Sequence, residues 1–244
     1  MPCHPDTLRD TLRRVGESAW LQAQAAGVQS LYQRQLVRGK VYAVDGSGLG
    51  DDFLLVALVC VSATRPVIVA WRLLSGQASE KGQEAAVTQS LIEQVLQVAG
   101  PQAIGLRLSD ALYADGPLLA WLKYRKGIDA LVSLPEDRLL YQDLQGLADG
   151  QLIDWTHHRY VRTIAGHKQL REVEVTAAGE LTSWDGKTLA AASYGVADAS
   201  LWACLIRDVT TAELAAEAPR ALVSTRRFAD GFAARPRLSS ALAH

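Results

Sequence analysis

Apolar residues along this chain follow two rhythms, one of helical period and one of short unbroken runs that suit buried strands. Leu8, Leu12, Val15 and Trp20 recur near helical spacing between charges. They predict helix over 4–38, with Asp6 as its N-cap. A second amphipathic stretch, VQSLYQRQLVRG, ends at Gly39. These helices would form a small subdomain or a lid over a sheet. Three apolar runs follow: VYAVDG (41–46), FLLVALVCVSA (53–63) and PVIVAWRLLSG (66–76). Their short links predict an antiparallel meander.

Helix and strand then alternate. SEKGQEAAVTQSLIEQVLQVAG (79–100) reads as helix with Val87, Leu91, Val95 and Val98 on one face, stopped by Gly100-Pro101. AIGLRLSDALY (103–113) reads as strand up to Asp110, GPLLAWLKYRKG (116–127) as helix with Pro117 in its first turn and Gly127 past its end, and IDALVSLP (128–135) as strand. A strand that follows a crossover helix pairs in parallel. The fold class expected is therefore α/β, a mixed sheet flanked by helices.

After Pro135 the pattern changes. Residues 136–210 are polar and alternating, with turn signals at Gly166, Gly179, Asp185-Gly186 and Gly195. They read as a β-rich insertion of short antiparallel strands. TTAELAAEAPR (210–220) is a short helix and ALVST (221–225) a further strand, ahead of a tail without periodicity. The expected organisation is a helical segment (1–38), a core (39–135), an insertion (136–210) and a C-terminal part of the core (211–244).

Composition narrows the setting. Hydrophobic residues make up 49% and charged residues 21%, as in an ordinary globular chain. No apolar run reaches the roughly 18 residues of a membrane span, and the N-terminus lacks the apolar core of a secretory signal. Cys3, Cys60 and Cys204 are far apart and odd in number. That points to a reducing cytoplasm, without a disulfide framework or a zinc-ligand spacing. The net charge of −1 means that any basic, nucleic-acid-facing surface is local.

The chemistry centres on two aspartates. Asp45 follows the apolar VYAV and precedes Gly46-Ser47-Gly48; Asp110 ends IGLRLS ahead of a helix. Carboxylates fixed at strand ends suit divalent-metal phosphoryl transfer, in which two ions sit about 3.5–4 Å apart. The plain alternatives are a turn at Asp45-Gly46 and a helix cap at Asp110. Asp115 is the better placed cap for 116–126, which partly frees Asp110. Two such aspartates on strands expected to be adjacent favour a shared metal site.

The segments VYAVDGSGL and SDALYADGPLLAWLKYRKGIDALVSLP resemble the insertion-sequence transposases with an Asp-Asp-Glu triad, of the insertion-sequence-four-like kind. The resemblance covers about residues 38–135 well and 136–225 loosely. It implies a ribonuclease-H-like core with a β-rich insertion before the triad glutamate. Asp45 and Asp110 would be the catalytic, Mg²⁺-binding acids, with Mn²⁺ as substitute. The implied partner is double-stranded DNA, as transposon ends and target, engaged by a homodimer. The third acid departs from the family: no glutamate follows Glu217, and Glu213 and Glu217 precede the strand ALVST. The expectation is a C-terminally truncated copy that binds Mg²⁺ weakly and cleaves DNA poorly or not at all. Two other readings stay open. One is a ribonuclease-H-like nuclease or resolvase that recruits Asp51, Asp52 or Asp115. The other is a non-catalytic DNA-binding or dimerising remnant.

Candidate DNA-backbone contacts are Arg159, Arg162, Lys168 and Arg171 in the insertion, and Lys123, Arg125 and Lys126 at a helix end. A charged strand edge and a favourable helix dipole explain the same residues equally well. His157 and His158 are adjacent, so on a strand they face opposite ways and share no ion. Trp155, Trp184 and Trp202 suit core packing more than base stacking. Gly46-Ser47-Gly48-Leu49-Gly50 lacks the Lys-Ser/Thr of a phosphate loop, which excludes an ATP site of that kind.

Overall fold

The computed structural model describes residues 17–49, 53–61, 65–75, 83–164, 166–181 and 201–227. The expected N-cap Asp6, residues Leu8, Leu12 and Val15, Cys3, Asp51, Asp52, Trp184 and the tail from 228 onward lie outside the described residues. Among the described residues the chain is α/β, with a nine-stranded mixed sheet and flanking helices. No described helix is long and apolar enough to cross a membrane.

Two compact units share the strand β1 (Val41–Leu49): its first five residues, with residues from 105 onward, belong to one, and the rest of residues 1–104 to the other. The first unit contains α1 (Glu17–Gln33), β2 (Phe53–Cys60), β3 (Val67–Ser75) and α2 (Glu84–Ala99). VQSLYQ does not start a second helix; it completes α1, and the chain then turns through Gln35 at φ 54°. β2 and β3 pair antiparallel, with a bulge between Leu58 and Val59. α2 buries Val87, Thr88, Leu91, Ile92 and Val95, a helical stripe. Gly100, at φ 92°, ends it with its N–H donated to the Leu96 carbonyl.

In the second unit β1 pairs in parallel with β4 (Leu106–Ser109), and β4 in parallel with β5 (Asp129–Leu134), as the intervening helices require. α3 (Gly116–Ala120) continues as a π-helical turn, Trp121–Lys126. That turn closes at Gly127, whose φ of 68° lies in the left-handed region that favours glycine. β5 then pairs antiparallel with β9 (Arg220–Ser224). From β9 the sheet runs antiparallel through β8 (Leu201–Asp208), β7 (His167–Leu181) and β6 (Thr156–Ile164).

The stretch read as all-β opens with a helix, α4 (Leu139–Asp149), which buries Leu140, Tyr141, Leu144 and Ala148. Their spacing is helical, and Tyr141 donates its hydroxyl to the Pro219 carbonyl at 2.9 Å. The short helix read at 210–220 is one turn, α5 (Ala212–Ala215), capped by the Thr211 hydroxyl, which accepts from the Leu214 N–H. Cys60 and Cys204 are both buried, and burial pushes the Cys204 thiol up to about 12.

Candidate functional site

Strand register places the two aspartates. Val41, Tyr42, Ala43 and Val44 pair with Leu106, Arg107, Leu108 and Ser109. Asp45 and Asp110 are each the next residue beyond the last pair, and both are exposed. Side chains alternate along a strand, which assigns Asp45 to the Ala43 face and Asp110 to the Leu108 face of the same strand pair. That face is opposite the one carrying Tyr42 and Arg107. β1 does not end at Asp45 as expected; it continues to Leu49, and only its pairing with β4 stops at Val44.

Asp110 keeps extended backbone and caps a 3₁₀ turn, Ala111–Tyr113, its Oδ1 accepting from the Leu112 N–H at 3.1 Å. Asp115 caps α3, its Oδ1 accepting from the Leu118 N–H at 2.7 Å. Each aspartate therefore starts its own turn. Capping and an outward carboxylate coexist at Asp110, because the cap engages one oxygen.

Arg107 is the site residue that sequence reading missed. It is fully buried, and among the described residues Nε, Nη1 and Nη2 have no hydrogen-bond partner. Its guanidinium lies 5.4 Å from the centre of the Tyr113 ring. Burial lowers its pKa to about 10, opposed by Tyr113, Asp110 and Asp115. Arg107 is thus a buried cation at neutral pH, close enough to feel the carboxylates of Asp110 and Asp115. The available signal was an arginine inside the apolar run IGLRLS.

The candidate DNA-contacting cations do not form one face. Tyr160 pairs with Arg171 and Thr163 with Lys168. Alternation then puts Arg162 and Arg171 on one side of the β6–β7 hairpin and Arg159 and Lys168 on the other. Several are already engaged. Arg159 bridges Glu172 at 2.8 Å, with His157 at 3.5 Å from the same carboxylate. Arg171 lies 3.7 Å from Asp208. In the π-helical turn, Lys123 contacts Asp129 at 2.6 Å and Lys126 sits 5.0 Å from the Trp121 ring centre. Arg125 and Lys168 are exposed and Arg162 half-buried, none with a carboxylate partner among the described residues. His157 is exposed and His158 buried, on opposite faces as expected.

Glu213 is exposed, its carboxyl held below the usual range by hydrogen bonds from its own backbone N–H and the Thr211 side chain. Among the described residues, no three His, Cys, Asp or Glu side chains gather as a metal-binding group. Of the tryptophans weighed for base stacking, Trp155 lies under the Arg207 guanidinium at 4.5 Å and Trp202 under Arg227 at 5.3 Å. No protein-family model matches the chain, and no curated protein matches it.

Proposed function

We propose that this chain is a transposase of the Asp-Asp-Glu type, or a copy of one, acting on double-stranded DNA at transposon ends and target sites. The observation that carries the reading is the Val44–Ser109 pairing, which sets two exposed carboxylates one step beyond neighbouring parallel strands. The order β3-β2-β1-β4-β5 supports a ribonuclease-H-like core, and β6, β7 and β8, all preceding β9 in the chain, suit an inserted β segment.

The donor set fits Mg²⁺ or Mn²⁺, since hard cations take oxygen ligands and Mg²⁺ draws one or two carboxylates from a protein. Asp45 and Asp110 would hold it. When bound, the ion supplies Lewis-acid polarisation of a phosphodiester oxygen and a more acidic water. The backbone of β1 and β4 fixes the two carboxylates, and the Leu112 N–H orients that of Asp110. Arg125, Arg162 and Lys168 neutralise backbone phosphates. The homodimer of intact family members belongs to the same reading.

One observation favours a non-catalytic DNA-binding remnant: among the described residues no third acid joins the pair. The nuclease reading would draw on Asp115 as a further acid, and no group of three acids that includes it gathers among the described residues. The test is Mn²⁺ titration of the wild type, Asp45→Asn and Asp110→Asn, run beside cleavage and strand-transfer assays on DNA duplexes. Binding lost in both variants, with strand transfer in the wild type, supports the transposase. Cleavage alone supports a nuclease, and binding alone the remnant. Absent Mn²⁺ binding, or binding that ignores both substitutions, sinks the shared site.

A further inference from the structure

A second cluster of charge sits on the β6–β9 part of the sheet and goes beyond the carboxylate site. Cross-strand pairs step over four strands on one face: Tyr160 with Arg171, Val173 with Asp208, and Ile206 with Arg220. Arg162, two residues beyond Tyr160, shares that face. Together with residues of and just after α5 they line a cavity of about 180 Å³. Burial raises the Tyr160 pKa, and Asp208 adds to the rise, while Arg162, Arg171 and Arg220 all pull it down. Three guanidinium groups therefore act on one phenol.

The acids in the wall are Asp208 and Glu217. Asp208 accepts from the Thr210 N–H through Oδ1 at 2.9 Å and faces Arg171 through Oδ2 at 3.7 Å. It thereby anchors Arg171 and is itself neutralised. Arg162 and Arg220 have no carboxylate partner among the described residues, so the cavity keeps uncompensated positive charge. A carboxylate offers two oxygens in one plane, whereas a tetrahedral phosphate offers more oxygens pointing in different directions and can meet three guanidinium groups at once. The volume is below the roughly 300–1,000 Å³ of pockets that enclose a whole small molecule. It suits one anionic group.

We propose that this cavity is a phosphate site, in which Arg162, Arg171 and Arg220 hold one phosphate group and the Tyr160 hydroxyl donates a further hydrogen bond. The phosphate can belong to a nucleic-acid backbone or to a small phosphate ester. Calorimetric titration of the full chain with inorganic phosphate, in phosphate-free buffer, tests it. Arg162→Gln/Arg220→Gln should weaken binding on the order of tenfold or more, as loss of charge-assisted hydrogen bonds requires. Arg34→Gln/Lys40→Gln, at two exposed cations outside the cavity, should leave binding unchanged. A short DNA duplex that displaces phosphate from the wild type assigns the site to a nucleic-acid backbone. A duplex that does not displace it assigns the site to a small ester. Absent phosphate binding, or binding indifferent to Arg162→Gln/Arg220→Gln, overturns the proposal and leaves the Asp45–Asp110 reading untouched. If that double variant fails to fold, phenylglyoxal modification of the wild type decides. Phosphate should protect Arg162 and Arg220 but not Arg34, and equal reactivity with and without phosphate overturns the site.

Discussion

Asp45 and Asp110 leave one parallel strand pair at the same level, each one residue past the Val44–Ser109 pairing. Their dual duty can be separated at Asp110. Asparagine keeps an Oδ1 to accept from the Leu112 N–H but loses the negative charge. Asp110→Asn should hold stability within about 1 kcal/mol while Mn²⁺ affinity falls at least tenfold, a ratio equivalent to about 1.4 kcal/mol. Urea unfolding read beside metal titration checks both. Equal loss of stability and affinity would mean that the carboxylate serves the fold alone.

Arg107 carries a buried charge whose side-chain nitrogens have no hydrogen-bond partner among the described residues. Replacing buried ion pairs by well-packed apolar side chains of similar volume is often neutral or stabilising by about 1–4 kcal/mol. Arg107→Met should raise the urea midpoint and shift Tm upward, roughly 2–4 °C per kcal/mol for a chain of this size. Losing a positive charge near Asp110 should also tighten Mn²⁺ binding. A lower midpoint would show that the guanidinium contributes net stabilisation.

Cys204 gives the fold an alkaline weakness. Its thiol titrates near 9.0 when free and at about 12 in the folded chain. Between those values the unfolded chain sheds the proton while the native state keeps it. The stabilisation is therefore complete below the free value and lost as pH rises, by about 1.4 kcal/mol per unit. Cys204→Ala should flatten that slope over the first unit above pH 9, measured by urea unfolding. An unchanged slope would place the loss on other groups.

Gly179 lies where β7 shifts register between Ala178 and Leu181, and Trp202 of β8 covers it. A Cβ at that position would overlap the indole ring. Gly179→Ala should cost about 1–3 kcal/mol through overpacking, and Trp202→Leu in the same chain should recover part of that loss. A double-mutant cycle gives the coupling; additive losses would rule out the contact as the cause.

The cations should differ in their response to salt. If DNA is the partner, Arg162→Gln and Lys168→Gln should each lower the slope of log affinity against log salt by about 1. Arg159→Gln should change it less, because Glu172 already neutralises that side chain. Fluorescence anisotropy on a labelled duplex across a salt series measures the slopes, and equal slopes for all three variants would contradict the pairing.

The strands were legible because β1, β2, β3 and β5 are apolar runs bounded by turn residues, and β4's four residues sit within one such run. The caps at Asp115 and Gly127 were legible for a similar reason: a polar side chain or a glycine is needed at those backbone positions. α4 was hidden because Leu140, Tyr141, Leu144 and Ala148 sit in a segment otherwise rich in acids and glutamine, where alternation and helical period look alike. The burial of Arg107 was hidden because residue type argues against it. The division of the β6–β7 cations between two faces depends on strand register, as does the Arg162–Arg171–Arg220 cavity. The position of Asp45 within a longer strand was hidden by its glycines, which usually interrupt strands.

β9 is the last described strand in the chain, yet it lies between β5 and β8 and pairs with both. During synthesis β5, β7 and β8 are all made before the strand that joins them. Until Ala221–Ser224 emerge, β5 and β8 each present a bare, apolar hydrogen-bonding edge. The sheet thus closes from its middle only once β9 has been made, and the nascent chain is most prone to aggregate in the interval just before.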